Sequence, residues 1–253
     1  MTFQLHEEVQ IRTKKADPDR VRAAYFAEAE ARQRLMLLYA FHLELAKVPE
    51  LVSEPMIGQI RYQWWREAIA EIYETEDVRK HEITTPLRRL LLDYDVPRFW
   101  LDQLIDGRER DIDPRPFETL SEAQEYCANT SGVLMKIAVK LFGIDPEESV
   151  ADAGTAWGLT GLARAYPYYH KSMLSALSFE AVCKAAAEKY RSAKNSIHSL
   201  ETEAFPAVAY TSLIGPYLKK MERKGFDPKT EAVTFTPFAK QTRLLISVLR
   251  GRV

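Results

Sequence analysis

Apolar residues in this chain recur at every third or fourth position over long stretches, a spacing that lines one face of an α-helix. Few stretches alternate strictly, prolines punctuate the pattern, and there are only ten glycines. The first helix is expected from about Asp19, its N-cap, to Lys47. A second is expected from Ser53, with Glu54 and Pro55 in its first turn, to about Tyr73. Pro97 opens a third through Phe99, Trp100, Leu101, Leu104 and Ile105. Ser121 followed by Gln124 resembles a capping box for a helix ending near Phe142. Asp145, Pro146 and Glu148 supply cap, proline and first-turn carboxylate for a helix reaching at least Arg164. Ser178 and Glu180 begin another that ends near His198, and Pro206–Lys224 and Pro237–Arg250 are the last two. The expectation is an all-α fold. Without an internal repeat, low-complexity tract or linker, residues 1–253 read as a single domain.

With 253 residues and 46% hydrophobic content, the chain can bury a substantial core. Its 35 Lys and Arg balance 36 Asp and Glu, for a net charge of -1, which argues against a nucleic-acid binder. Cys127 and Cys183 lack metal-ligand spacing and fit packing roles in a reducing compartment. The N-terminus has no apolar signal core, and Glu7 and Glu8 make it a poor presequence. Runs such as Leu35–Phe41 fall far short of the roughly 20 residues that span a bilayer. The expectation from these features is a cytoplasmic protein, with contact at the periphery of an inner membrane left open.

Three stretches carry a family resemblance. The first is Tyr39-Ala-Phe-His-Leu-Glu-Leu-Ala-Lys-Val-Pro-Glu50, followed by Ser53-Glu-Pro and by Ile60-Arg-Tyr-Gln-Trp-Trp-Arg66. The second is Tyr126-Cys with Gly132 six residues after the tyrosine, and the third is Gly158-Leu-Thr-Gly-Leu-Ala-Arg164. Together they resemble the squalene/phytoene synthase family of head-to-head prenyl transferases, from about Asp19 to Arg164 and more loosely beyond. The resemblance implies an isoprenoid synthase-type domain of about ten helices around a central cavity. It also implies a ligand pocket at Tyr39, His42, Trp64, Tyr126, Gly132, Gly158, Gly161 and Arg164, for an apolar tail or an anion.

Active members of that family carry two aspartate-rich motifs, each with carboxylates four residues apart on one helix face. The pairs grip Mg²⁺ ions that neutralise a diphosphate leaving group. Here the first motif falls on Ala46, Lys47 and Glu50, and the second on Ala165 and Tyr169. From Gly154 to Lys171 there is no acidic residue. The wording from Ala40 to Tyr73 is most similar to the branch that assists assembly of respiratory complex I, which shares these degenerate motifs. The expectation is therefore a catalytically silent, cofactor-free binding protein, with complex I subunits or assembly intermediates as partners and a prenyl or quinone-like lipid as ligand. The competing expectation is a Mg²⁺-dependent synthase drawing carboxylates from Glu44, Glu50 or Asp102 and Asp106.

Other residues invite a chemical reading beside a plainer one. Gly154, Gly158, Gly161 and Ala165 recur on one side of a helix and imply either close helix packing or a retained cavity. Asp102 and Asp106 form a D-x-x-x-D near Asp111 and Asp113, but Arg108 and Arg110 beside them favour ion pairing over metal. His42, one turn before Ala46, is either a hydrogen-bonded core histidine or part of a His/carboxylate site with Glu44 and Glu50. Adjacent Trp64 and Trp65 point about 100° apart, one inward and one outward. Arg61, Arg66 and Arg164 are anion-binding candidates, while His170 and His198 read as surface.

Overall fold

The computed structural model describes residues 5–251, and among them every regular element is helical. Packing divides the chain into two compact units. One holds the residues up to Asp113 together with Ile137–Asp145, and the other holds Pro114–Lys136 together with the residues from Pro146 on.

The first unit is built on α1 (Glu7–Ala16), α2 (Pro18–Ala24), α3 (Ala29–Ala46), α4 (Pro55–Glu74), α5 (Thr84–Asp93) and α6 (Arg98–Glu109). Helix α3 packs against α1, α2, α5 and α6. Every residue from Leu35 to His42 is buried, so this middle stretch of the helix offers no face to solvent. Helix α4 lies against α5 and α6 and buries Tyr62, Trp65, Ala68, Ile69 and Ile72.

The second unit holds α7 (Leu120–Cys127), the start of α8 (Val133–Lys140), α9 (Glu148–Arg164), α10 (Tyr166–Tyr169), α11 (Phe179–His198), α12 (Ile214–Met221) and α13 (Pro237–Arg250). Helices α9 and α11 form its most extensive pairing. Both bury small residues, Ala153, Ala156 and Ala163 on α9 and Ala185, Ala186 and Ala193 on α11. Small side chains let the helix axes approach toward the short end of the usual 8–10 Å range.

Several expected boundaries shift for identifiable reasons. The helix expected over Asp19–Lys47 is two helices, interrupted at residues 25–28, and its cap is Asp17, whose side chain accepts from the Arg20 N–H at 3.4 Å. The capping box lies two residues before the expected one. Thr119 accepts from the Glu122 N–H at 3.2 Å, and Glu122 accepts from the Glu118 N–H at 3.1 Å. Asp145 pairs with Lys140, and the N-cap position of α9 falls to Glu147, whose side chain makes no capping bond. The region expected as a helix over Pro206–Lys224 begins as two 3₁₀ segments, because Pro206 interrupts α-helical bonding. Helices α1 and α5 were not anticipated. Among the described residues no helix is long and apolar enough to cross a membrane.

Candidate functional site

The first motif region sits at the C-terminal end of α3. Ala46 is the last residue of that helix, and Glu50 is exposed in a 3₁₀ turn, Val48–Glu50. Pro49 forces the break, since its ring clashes with the carbonyl four residues back and it has no N–H to give. The carbonyl it fails to serve belongs to Leu45, and the Tyr62 hydroxyl lies 2.9 Å from that oxygen. The same hydroxyl lies 2.9 Å from the Arg108 carbonyl at the end of α6, so its one proton serves two helix termini.

The second motif region repeats this arrangement. Arg164 ends α9, Ala165 is its C-cap, and Tyr169 is exposed at the end of the short α10. Pro167 prevents continuation here as Pro49 does at the first region. In both places the four-residue spacing spans a helix end, so the two positions do not stack on one helical face. Even with carboxylates restored, each pair would first need an uninterrupted helix to converge. Magnesium held by paired carboxylates, which the family resemblance implies for active members, therefore does not fit these positions. Among the described residues no group of three or more His, Cys, Asp or Glu side chains is placed to hold a metal ion.

Beside the end of α3 lies a largely buried polar cluster, with His42 and Arg20 buried and Arg108 and Asp111 half-buried. Arg108 Nη2 donates to His42 Nε2 at 2.8 Å, and Arg108 Nη1 donates to Asp111 at 3.0 Å. A guanidinium only donates, so His42 is a neutral imidazole with its proton on Nδ1. Burial, and then the Arg108 and Arg20 charges, hold its pKa well below the ordinary histidine value. Arg20 is itself buried and paired with Asp17 at 2.6 Å. A neutral histidine between two cations is a poor general base, and Glu50 is exposed beyond the helix end.

The glycine stripe on α9 divides in two. A Cβ on Gly154 would lie 2.5 Å from the Ser131 carbonyl oxygen and 2.7 Å from Gly132 Cα. A Cβ on Gly158 would lie 2.9 Å from Cys127 Cβ, and one on Gly132 would meet Ala151 O and Thr155 Oγ1 at 3.0 Å. These three glycines are packing residues, and they let α9 ride against an i→i+5 turn, Ala128–Gly132, that joins α7 to α8. Gly161 differs, since nothing among the described residues lies within 4 Å of its would-be Cβ. One turn further on, the Arg164 guanidinium stacks 4.1 Å from the Tyr217 ring centroid, and Tyr217 in turn neighbours Trp157.

The remaining candidates have structural neighbours. Tyr39 is buried within α3, and Tyr126 is half-buried with its ring 5.5 Å from Phe117. Trp65 is buried against Phe41, at 5.3 Å between ring centroids. Trp64 is half-buried under the Arg79 guanidinium, 4.9 Å away, and lines a surface groove of about 470 Å³ with Met56, Ile60 and Arg66. Arg66 reaches Asp106 at 2.7 Å and also Glu109, and Asp102 pairs with Arg98 at 3.3 Å, so the D-x-x-x-D is an ion-pair lattice. Arg61 is exposed, and His170 is half-buried and stacked on Tyr166. Both cysteines are buried, and burial pushes the Cys183 thiol up to about 12, which disfavours the thiolate. Arg108 as the partner of His42, the Arg20 charge acting on it, and Tyr62 as the link between two helix ends are not legible locally, because these residues come from distant parts of the chain. The only hint was that Tyr62 falls inside the Ile60–Arg66 block.

Comparison with known proteins follows the same lines. The model of the squalene/phytoene synthase family matches residues 13–176. The chain is 25% identical to NADH dehydrogenase (ubiquinone) complex I, assembly factor 6, of Mus musculus, over 86% of this chain and 72% of that protein. Among solved structures, a dehydrosqualene synthase in complex with ligand superposes with a TM-score of 0.75 at 16% identity, covering 96% of this chain and 94% of the other. Squalene synthase HpnC from Alicyclobacillus acidocaldarius superposes with a TM-score of 0.71 at 14% identity, covering 87% and 94%. The fold is thus of the isoprenoid synthase type.

Proposed function

Since the chain belongs to the squalene/phytoene synthase family, we propose that it is a member that works by binding instead of catalysis, as an assembly factor for respiratory complex I. The observation that carries this reading is the state of the two motif positions. Ala46 with Glu50, and Ala165 with Tyr169, supply one carboxylate where four are expected, and each pair straddles a helix end. Ionising an allylic diphosphate without cations on the leaving group forfeits the main electrostatic assistance to the step. Support for the assembly role comes from the mouse relative, a complex I assembly factor aligned over most of the chain. The partners proposed are complex I subunits or assembly intermediates, met at the periphery of the membrane that houses them.

The ligand class proposed is a prenyl or quinone-like tail. The open side of α9 at Gly161, with Arg164 held over Tyr217, supports it by pairing space for an apolar chain with a cation for a polar head. Deleting the gene and resolving respiratory complexes on native gels tests the assembly role. The expected result is loss of assembled complex I, with intermediates accumulating and the other complexes intact. Normal complex I alongside loss of a hopanoid, carotenoid or sterol product would refute it.

A further inference from the structure

Helix α13 closes the described part of the second unit, and its solvent face is unusual. It buries Lys240, Leu244 and Ser247 against the 3₁₀ segments Thr202–Ala207 and Ala209–Leu213. On the opposite side Phe238 is 81% exposed, Leu249 77%, and Leu245 and Ile246 43% each. At about 100° per residue, Phe238, Leu245 and Leu249 fall within a narrow sector, so they form one solvent-facing apolar stripe. A stripe of large side chains left in water is unfavourable unless something covers it.

Charge identifies the cover. Beside the stripe runs a groove of about 770 Å³ lined by Lys194 and His198 of α11, by Ser212, and by Arg243, Ile246, Ser247 and Arg250 of α13. Lys194, Arg243 and Arg250 are all exposed. Among the described residues no carboxylate lies within ion-pair distance of these three; Lys194 and Arg243 lie instead against aromatic rings, Tyr190 and Phe235. After Glu231 the sequence contains no acidic residue, and it carries Lys240, Arg243, Arg250 and Arg252. A protein interface of this polarity would need a partner both acidic and apolar along the same strip. A bilayer of anionic phospholipid offers that combination everywhere, with phosphates at one depth and acyl chains just beneath.

We propose that this face of the second unit docks on an anionic phospholipid membrane. Phe238, Leu245 and Leu249 enter the boundary between headgroups and acyl chains, and Lys194, Arg243 and Arg250 hold lipid phosphates along the groove. The inference deepens the peripheral membrane placement proposed above and does not depend on the assembly role. If vesicle binding fails while complex I assembly still requires the gene, only the docking surface is wrong.

The test is flotation of the full chain with vesicles of phosphatidylcholine alone and with vesicles that also contain phosphatidylglycerol. Unaltered protein is expected to float with the anionic vesicles, not with the neutral ones, and to be released by salt. The double variant Arg243→Glu and Arg250→Glu is expected to weaken binding by at least about tenfold, from the contribution of each basic residue near an anionic surface. Leu249→Ser with Phe238→Ser is expected to weaken it comparably, with the circular dichroism spectrum unchanged because both side chains are exposed. Equal flotation of all three proteins would overturn the proposal. Failure of the unaltered protein to float, with self-association through Leu249 on sedimentation, would make the face a protein interface and overturn it too.

Discussion

Replacing Gly154 with alanine adds a methyl group where α9 meets the Ala128–Gly132 turn. That methyl would sit 2.5 Å from the Ser131 carbonyl oxygen, 2.7 Å from Gly132 Cα and 3.0 Å from Met135 Cβ. The two nearest atoms are backbone and cannot rotate away, so relief requires α9 to move off the turn and loosen part of its contact. Overpacking of this kind costs about 1–3 kcal/mol, against a gain of about 1 kcal/mol from replacing a mid-helix glycine. The expected net effect is a loss of up to about 2 kcal/mol. Gly161, two turns along the same helix, is the internal control. With nothing within 4 Å among the described residues, Gly161→Ala keeps only the helix gain and is expected to stabilise by up to about 1 kcal/mol. The helix gain is common to both variants, so they should differ by the overpacking cost, about 1–3 kcal/mol, or by several degrees of melting temperature in a chain of this size. Urea denaturation followed by far-ultraviolet circular dichroism measures the difference. If Gly154→Ala proves as stable as Gly161→Ala, the division of the stripe into packing and open positions is wrong.

Two further outcomes follow from the polar cluster at the end of α3. His42 has a folded-state pKa far below its unfolded value, so below about pH 6.5 the unfolded chain takes up a proton that the folded chain refuses. Its stabilising contribution is thus complete above about pH 6.5 and falls by about 1.4 kcal/mol per pH unit on acidification, until the lowered folded value is reached. His42→Gln, which keeps an acceptor for Arg108, should flatten this part of the urea-midpoint profile between neutral and mildly acid pH; an unchanged profile would show that His42 is not the group responsible. Tyr62→Phe removes the hydroxyl shared by the Leu45 and Arg108 carbonyls and should cost about 1–3 kcal/mol in the same denaturation assay, whereas no loss would mean that water replaces it freely.

Much of the fold was legible because helical periodicity and proline punctuation are local signals. Helix α13 occupies Pro237–Arg250 as expected, and α11 begins after Ser178, whose side chain accepts from the Ala181 N–H at 3.0 Å. What stayed hidden depends on contacts distant in sequence. Residues 25–28 contain neither proline nor glycine to announce the break between α2 and α3. The i→i+5 turn at Ala128–Gly132 follows from α9 pressing against it, which no window around residue 130 reveals. At the motif positions the missing carboxylates could be read directly. The helix ends could have been read as well, since Pro49 and Pro167 follow Ala46 and Ala165 within three residues. The partnership of His42 with Arg108 joins residues 66 positions apart and left no local trace. The exposed cationic edge of α13 was visible as composition, but which side chains α11 sets beside it was not.

Incubation of the purified chain with farnesyl diphosphate across a range of Mg²⁺ concentrations, with release of inorganic diphosphate as the readout, puts the loss of catalysis to its most direct trial. Release indistinguishable from a protein-free blank at every Mg²⁺ concentration is the expected result. Saturable, Mg²⁺-dependent release would mean that carboxylates elsewhere in the chain do the work of the absent pairs, and that Ala46, Glu50, Ala165 and Tyr169 do not mark a lost activity.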